Sequence, residues 1–115
     1  MDMLPMFSGR AKISDKEKFE KEFFEAIGSE PYGGAFEWDG DEIVDINFVY
    51  GDVLYDEYME ELCKRLKPLI IDGEIEFEQK WVEEWFGITT LKITKDKCIF
   101  EVKSCEGDEN EIIEW

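Results

Sequence analysis

Hydrophobic and polar positions alternate along this chain in blocks, and the period of alternation changes from block to block. Residues 6–13 (Met-Phe-Ser-Gly-Arg-Ala-Lys-Ile) have the length and pattern of a first strand. Ser14 with Glu17 three residues on reads as a capping box, opening a helix to about Ile27. Phe19, Phe23, Ala26 and Ile27 form its apolar stripe and Gly28 its terminator. Its other side pairs opposite charges four apart: Lys16 with Glu20, Glu17 with Lys21, Lys18 with Glu22, Lys21 with Glu25. A charge-balanced helix of this kind reads as scaffold.

After Gly33-Gly34 the period drops to two. Phe36 and Trp38 share one face and Glu37 and Asp39 the other; Asp39-Gly40-Asp41 is a turn signal. A second strand over Glu42–Tyr50, with Val44, Ile46, Phe48 and Tyr50 in alternation, completes a β-hairpin. Asp52 is a suitable N-cap for a second helix from about Val53 to Leu66, stopped by Pro68. Leu54, Tyr58, Met59, Leu62, Cys63 and Leu66 make its apolar face, and Lys64, Arg65 and Lys67 sit where the helix dipole favours cations.

Glu74–Glu78 is a strict period-two strand. Trp81–Phe86 fits either a helical turn or a bulged continuation of that strand. Ile88–Thr94 and Cys98–Lys103 form a further hairpin around Lys95-Asp96-Lys97, and Glu111–Trp115 is a short terminal strand or tail. The pattern therefore predicts a single α+β domain over residues 1–115, in the order β-α-β-β-α-β-β-β. Two helices should cover one face of a mostly antiparallel sheet, and the first six elements have the split βαβ, ferredoxin-like order.

Composition narrows the chemistry. There is no histidine, so Ser-His-Asp and Cys-His catalysis and Cys/His zinc sites are excluded. Three cysteines, Cys63, Cys98 and Cys105, do not make a disulfide framework and read as small, buried, reduced hydrophobes. Together with the lack of a signal peptide or an apolar run long enough to span a bilayer, they lead to the expectation of a cytoplasmic protein. The acids after Trp38 do not meet the ligand spacing of an EF-hand, and Gly33-Gly34 lacks the Lys and Ser/Thr of a phosphate-binding loop. With 30 acids some carboxylate pair will always have hydrolase separation, so pairs alone carry no enzyme assignment. No enzyme, metal or cofactor is expected.

Net charge is −17, from 30 acidic and 13 basic side chains. Nucleic acid and anionic membranes would repel such a chain, so its expected partner is a basic protein surface. The charge is uneven: residues 31–62 hold ten acids and no Lys or Arg, supplying −10 of the total. In the second helix Asp56, Glu57, Glu60 and Glu61 make two rows with neighbours about 5–6 Å apart. In the strands, Glu74, Glu76 and Glu78 share a face at about 6.6–6.8 Å, Glu37 and Asp39 repeat the pattern, and Asp45 joins them.

Such rows resemble the charges of a nucleic-acid backbone and suit a groove lined with Lys and Arg. A solvated face of any amphipathic element looks the same. The leading expectation is a small acidic inhibitor that occupies the basic surface of a nucleic-acid-binding protein or nuclease. A phage-type anti-CRISPR or anti-restriction inhibitor, or a nuclease immunity protein, would have that character. The alternative is a housekeeping interaction domain without mimicry, which would bind through Trp81 and Trp85. Those two rings equally suit a role in capping the core.

Overall fold

The computed structural model describes residues 6–31, 33–48, 54–81, 86–104 and 110–115. Within them the order is β1 (Met6–Ile13), α1 (Lys16–Ile27), β2 (Phe36–Asp39), β3 (Glu42–Ile46), α2 (Asp56–Leu66), β4 (Ile70–Trp81), β5 (Gly87–Ile93), β6 (Cys98–Ser104) and β7 (Asn110–Glu114). This is the α+β order that the hydrophobic pattern predicts. All seven strands join one antiparallel sheet, in spatial order β2-β3-β1-β4-β5-β6-β7.

The first four strands have split βαβ topology. Strand β3 lies between β1 and β2, and β1 lies between β3 and β4, so each helical crossover skips one strand. Strands β5 to β7 then extend the sheet as a meander beside β4.

Period-two burial decides which sheet face the helices cover. Phe7, Ala11 and Ile13 of β1, Ile75, Phe77, Gln79 and Trp81 of β4, Leu91 and Ile93 of β5, and Cys98 and Phe100 of β6 are all buried. Onto them α1 lays Phe19, Phe23, Phe24, Ala26 and Ile27, and α2 lays Met59, Leu62, Cys63 and Leu66. At the α1 end the core is aromatic. Phe23 meets Phe7, Phe24, Phe36 and Phe48 edge-on, with ring centroids 5.1, 5.6, 4.9 and 5.1 Å away. That geometry sets the electropositive rim of one ring against the electronegative face of the next.

Several local readings shift. The N-cap of α1 is Asp15, not Ser14: its carboxylate accepts from the Lys18 N–H at 3.1 Å. Gly28 terminates the helix at φ 66°, as its position suggests. Strand β3 ends at Ile46, not at Tyr50, and a register shift between Glu37 and Trp38 changes its parity. Ile43 and Ile46 therefore face the core, while Val44 is only half-buried.

Helix α2 begins at Asp56 after Tyr55, which supplies no side-chain cap; Asp52, the expected cap, lies outside the described residues. Pro68 falls within a 3-10 turn, Lys67–Leu69, that closes α2. Strand β4 is far longer than the Glu74–Glu78 core of its pattern.

The main correction concerns the cysteines. Cys63 of α2 and Cys98 of β6 form a disulfide, with Cα atoms 6.0 Å apart across 35 positions of sequence. They are not reduced thiols. Cys105 lies outside the described residues.

Candidate functional site

The acidic rows end up on two opposite layers. On α2, Met59, Leu62, Cys63 and Leu66 turn inward, which leaves Asp56, Glu57 and Glu60 exposed and Glu61 half-exposed on the outer helical surface. On β4, Ile75, Phe77 and Gln79 take the helix side, so Glu74, Glu76 and Glu78 lie on the bare sheet face behind it. Glu37 and Asp45, directly paired across β2 and β3, share the bare face with Asp39.

On that face the carboxylates are interleaved with cations. Strand β1 runs between β3 and β4 and presents Arg10 and Lys12 to both sides. Arg10 lies opposite Glu74, and its Nε donates to Glu42 Oε1 at 2.6 Å. Lys12 stands opposite Glu42 on β3 and Asp72 on β4. Glu76 pairs across the strands with Lys92, Nζ to Oε1 3.6 Å, while Glu101 and Lys103, two positions apart on β6, pair along their own strand at 3.4 Å. Glu74 and Glu76 thus each stand opposite a cation, the arrangement that favours cross-strand pairing, whereas Glu78 stands opposite Met6 and Thr90.

The helical layer has one clamp. Arg65 Nε donates to Glu61 Oε2 at 3.0 Å, and its Nη1 donates to Glu22 Oε2 at 2.8 Å and Glu25 Oε2 at 3.1 Å. Glu22 and Glu25, expected to pair with lysines of their own helix, instead tie α1 to α2. The hydrogen bond to Glu61 first, and that to Glu22 next, raise the Arg65 pKa above its already high ordinary value. A raised cation pKa stabilises the fold below the unfolded value and is lost only as pH climbs through the folded one. For Arg65 that window lies in strong alkali, so the clamp keeps its charge throughout the neutral range.

Lys16 and Glu20, also read as a pair, both turn to Trp38. The ammonium sits 5.0 Å from the ring centroid, and Glu20 Oε1 accepts from the indole N–H at 3.1 Å.

With these contacts accounted for, Asp56, Glu57 and Glu60 on α2 have no cation bonded to them among the described residues, and neither have Asp39 and Asp41 at the β2–β3 turn. Glu37 accepts only from the Asn47 amide, at 3.3 Å, and Asp45 from the Ile46 backbone N–H, at 2.9 Å. Among the described residues the acids of 31–62 therefore stay without a bonded cation, apart from Glu42 and Glu61.

Trp81 is 4% exposed; its indole N–H donates to Thr89 Oγ1 at 3.2 Å and Tyr55 covers it at 5.6 Å. It belongs to the core and offers no ring to a partner. Trp85 lies outside the described residues, and Phe86 beside it is 49% exposed.

Nearby, the buried Gln79 accepts the Leu54 N–H at 3.0 Å, anchoring the approach to α2, while its Nε2 has no hydrogen-bond partner among the described residues. Among the described residues no cluster of three or more His, Cys, Asp or Glu could hold a metal ion, and no helix is long and apolar enough to cross a membrane. No protein-family model matches the chain, and no curated protein or solved structure matches it.

Proposed function

We propose that this chain is an acidic binding protein, without catalytic activity, that occupies a basic surface of a nucleic-acid-binding protein or nuclease. The carrying observation is the outer surface of α2, where Asp56, Glu57 and Glu60 stand exposed with no bonded cation among the described residues. Several bases elsewhere are engaged by acids: Arg10 by Glu42, Arg65 by three carboxylates, Lys92 by Glu76. A charge row left open on a rigid helix is a geometry that a phosphate-binding groove can accept.

The bare-face acids Glu74 and Glu76 support the reading less, since Arg10 and Lys92 lie opposite them. Inhibition of a CRISPR effector, a restriction enzyme or a nuclease toxin fits this chemistry. The cytoplasmic location expected from the sequence rested partly on free thiols. The Cys63–Cys98 bridge removes that support, because such bridges persist mainly in oxidising compartments.

The test immobilises the wild-type protein beside a variant carrying Asp56→Asn, Glu57→Gln and Glu60→Gln. A control loses equal charge elsewhere through Glu30→Gln, Glu111→Gln and Glu114→Gln. Lysate proteins are captured at low salt and eluted with rising salt or with competing duplex DNA. Wild type and control should retain nucleic-acid-binding proteins that the DNA displaces, and the α2 variant should lose them. Equal capture by the α2 variant would overturn the proposal.

A further inference from the structure

Where α2 ends, the local charge reverses. A cavity of about 500 Å³ opens there, floored by Cys63, Pro68 and Trp115 and rimmed by Lys64, Lys67 and Lys95, with Glu60 as the sole acid among its lining residues. We propose that this cavity is a binding site for a small organic anion with a flat, apolar body, such as an aromatic carboxylate, sulfonate or phosphate. This inference does not depend on the function proposed above.

Its volume falls in the range of small-molecule sites, about 300–1,000 Å³. The floor suits a ring. The Trp115 indole is stacked on Phe100 with centroids 5.5 Å apart and planes 15° apart. Two backbone hydrogen bonds with Cys98, 2.8 and 3.1 Å, hold Trp115 to β6. The walls are fixed to one another as well. The Cys63–Cys98 disulfide joins α2 to β6 at the cavity itself. The turn that carries Lys95 is closed by the Thr94 N–H and hydroxyl, which both donate to the Lys97 carbonyl, at 2.9 and 3.1 Å. A site built beforehand loses little ordering entropy on binding.

The rim selects an anion. Lys67 donates to the Trp115 carbonyl at 3.4 Å, while Lys64 and Lys95 have no hydrogen-bond or ion-pair partner among the described residues. Against three lysines stand Glu60, the α-carboxylate that the titrated chain carries on Trp115, and the negative end of the α2 dipole, equivalent to about half a charge. The local balance is positive within a chain of net charge −17. At physiological ionic strength fields decay over about 8 Å, so the rim acts on a bound ligand while the distant acids are screened.

Naphthalene-2-sulfonate and its uncharged counterpart 2-naphthalenemethanol serve as probes, titrated into the ¹⁵N-labelled protein at constant ionic strength. The sulfonate should shift the Trp115 indole N–H and the amides of residues 63–68 saturably, and bind more tightly than the alcohol. Lys64→Gln with Lys95→Gln, both exposed changes that leave the core intact, should weaken the sulfonate roughly five- to ten-fold. Absence of a saturable shift at Trp115 up to millimolar sulfonate would overturn the site. Equal affinity for the alcohol, or unchanged affinity in the double variant, would overturn its preference for anions.

Discussion

Two glycines at the centre of the sheet show how much a single residue can decide. Gly9 of β1 lies opposite Ile75, and Gly73 of β4 lies opposite Ala11, so the two face each other diagonally across the central strand pair. Their φ values, 140° and 86°, are ones that side chains rarely adopt. A Cβ on Gly9 would run into the Glu74 carbonyl, and one on Gly73 into the Arg10 carbonyl. Backbone strain of about 1–3 kcal/mol and overpacking of similar size both act there. Gly73→Ala should therefore cost roughly 2–4 kcal/mol in chemical denaturation. Gly28, at φ 66° with open space around its would-be Cβ, supplies the contrast. Gly28→Ala should cost only about 1 kcal/mol, the left-handed penalty alone. Equal losses at the two positions would show that the close strand approach adds nothing.

At the scale of elements, the question is what holds α2 against the sheet. Its apolar stripe and the Arg65 clamp to α1 contribute, but the covalent link is Cys63–Cys98. Cross-linking residues 35 apart removes chain entropy from the unfolded state worth roughly 4 kcal/mol. Cys63→Ser with Cys98→Ser, or reduction by dithiothreitol, should lower unfolding free energy by about that amount, read from denaturation midpoints with and without reductant. An unchanged midpoint would mean that the bridge does not constrain the unfolded chain. A spacing of 35 positions suggests no bridge to a sequence reader. It becomes readable only once α2 is known to lie over β6. For the same reason Glu22 and Glu25 look like partners of Lys18 and Lys21, since the competing Arg65 arrives from another helix.

For the whole molecule, charge dominates. A net −17 spread over 6822 Å² of surface repels itself, and only some of the acids meet a base. Salt screens the long-range repulsion, while short partly buried contacts such as Arg65 to Glu22 are screened less. The melting temperature should therefore rise by several degrees between low and about 0.5 M sodium chloride, followed by circular dichroism. A fall on adding salt would mean that the ion pairs outweigh the repulsion.

Sequence alone determined what depends on neighbours a few positions apart. The two helices, the β2–β3 and β5–β6 hairpins, the α+β order and the concentration of acid in residues 31–62 all follow from period and composition. So does the exclusion of histidine chemistry. Tertiary structure decided whatever depends on strands and helices meeting across the chain. It put the α2 acids and the β4 acids on opposite layers, set Arg10 and Lys92 against the strand row, and drew Trp81 into the core. It also gathered Lys64, Lys67 and Lys95 around Trp115. Periodicity tells which side of its own element a residue lies on; only sheet order and helix placement tell what stands opposite, and for charged groups the opposite partner sets whether a surface is neutral or open.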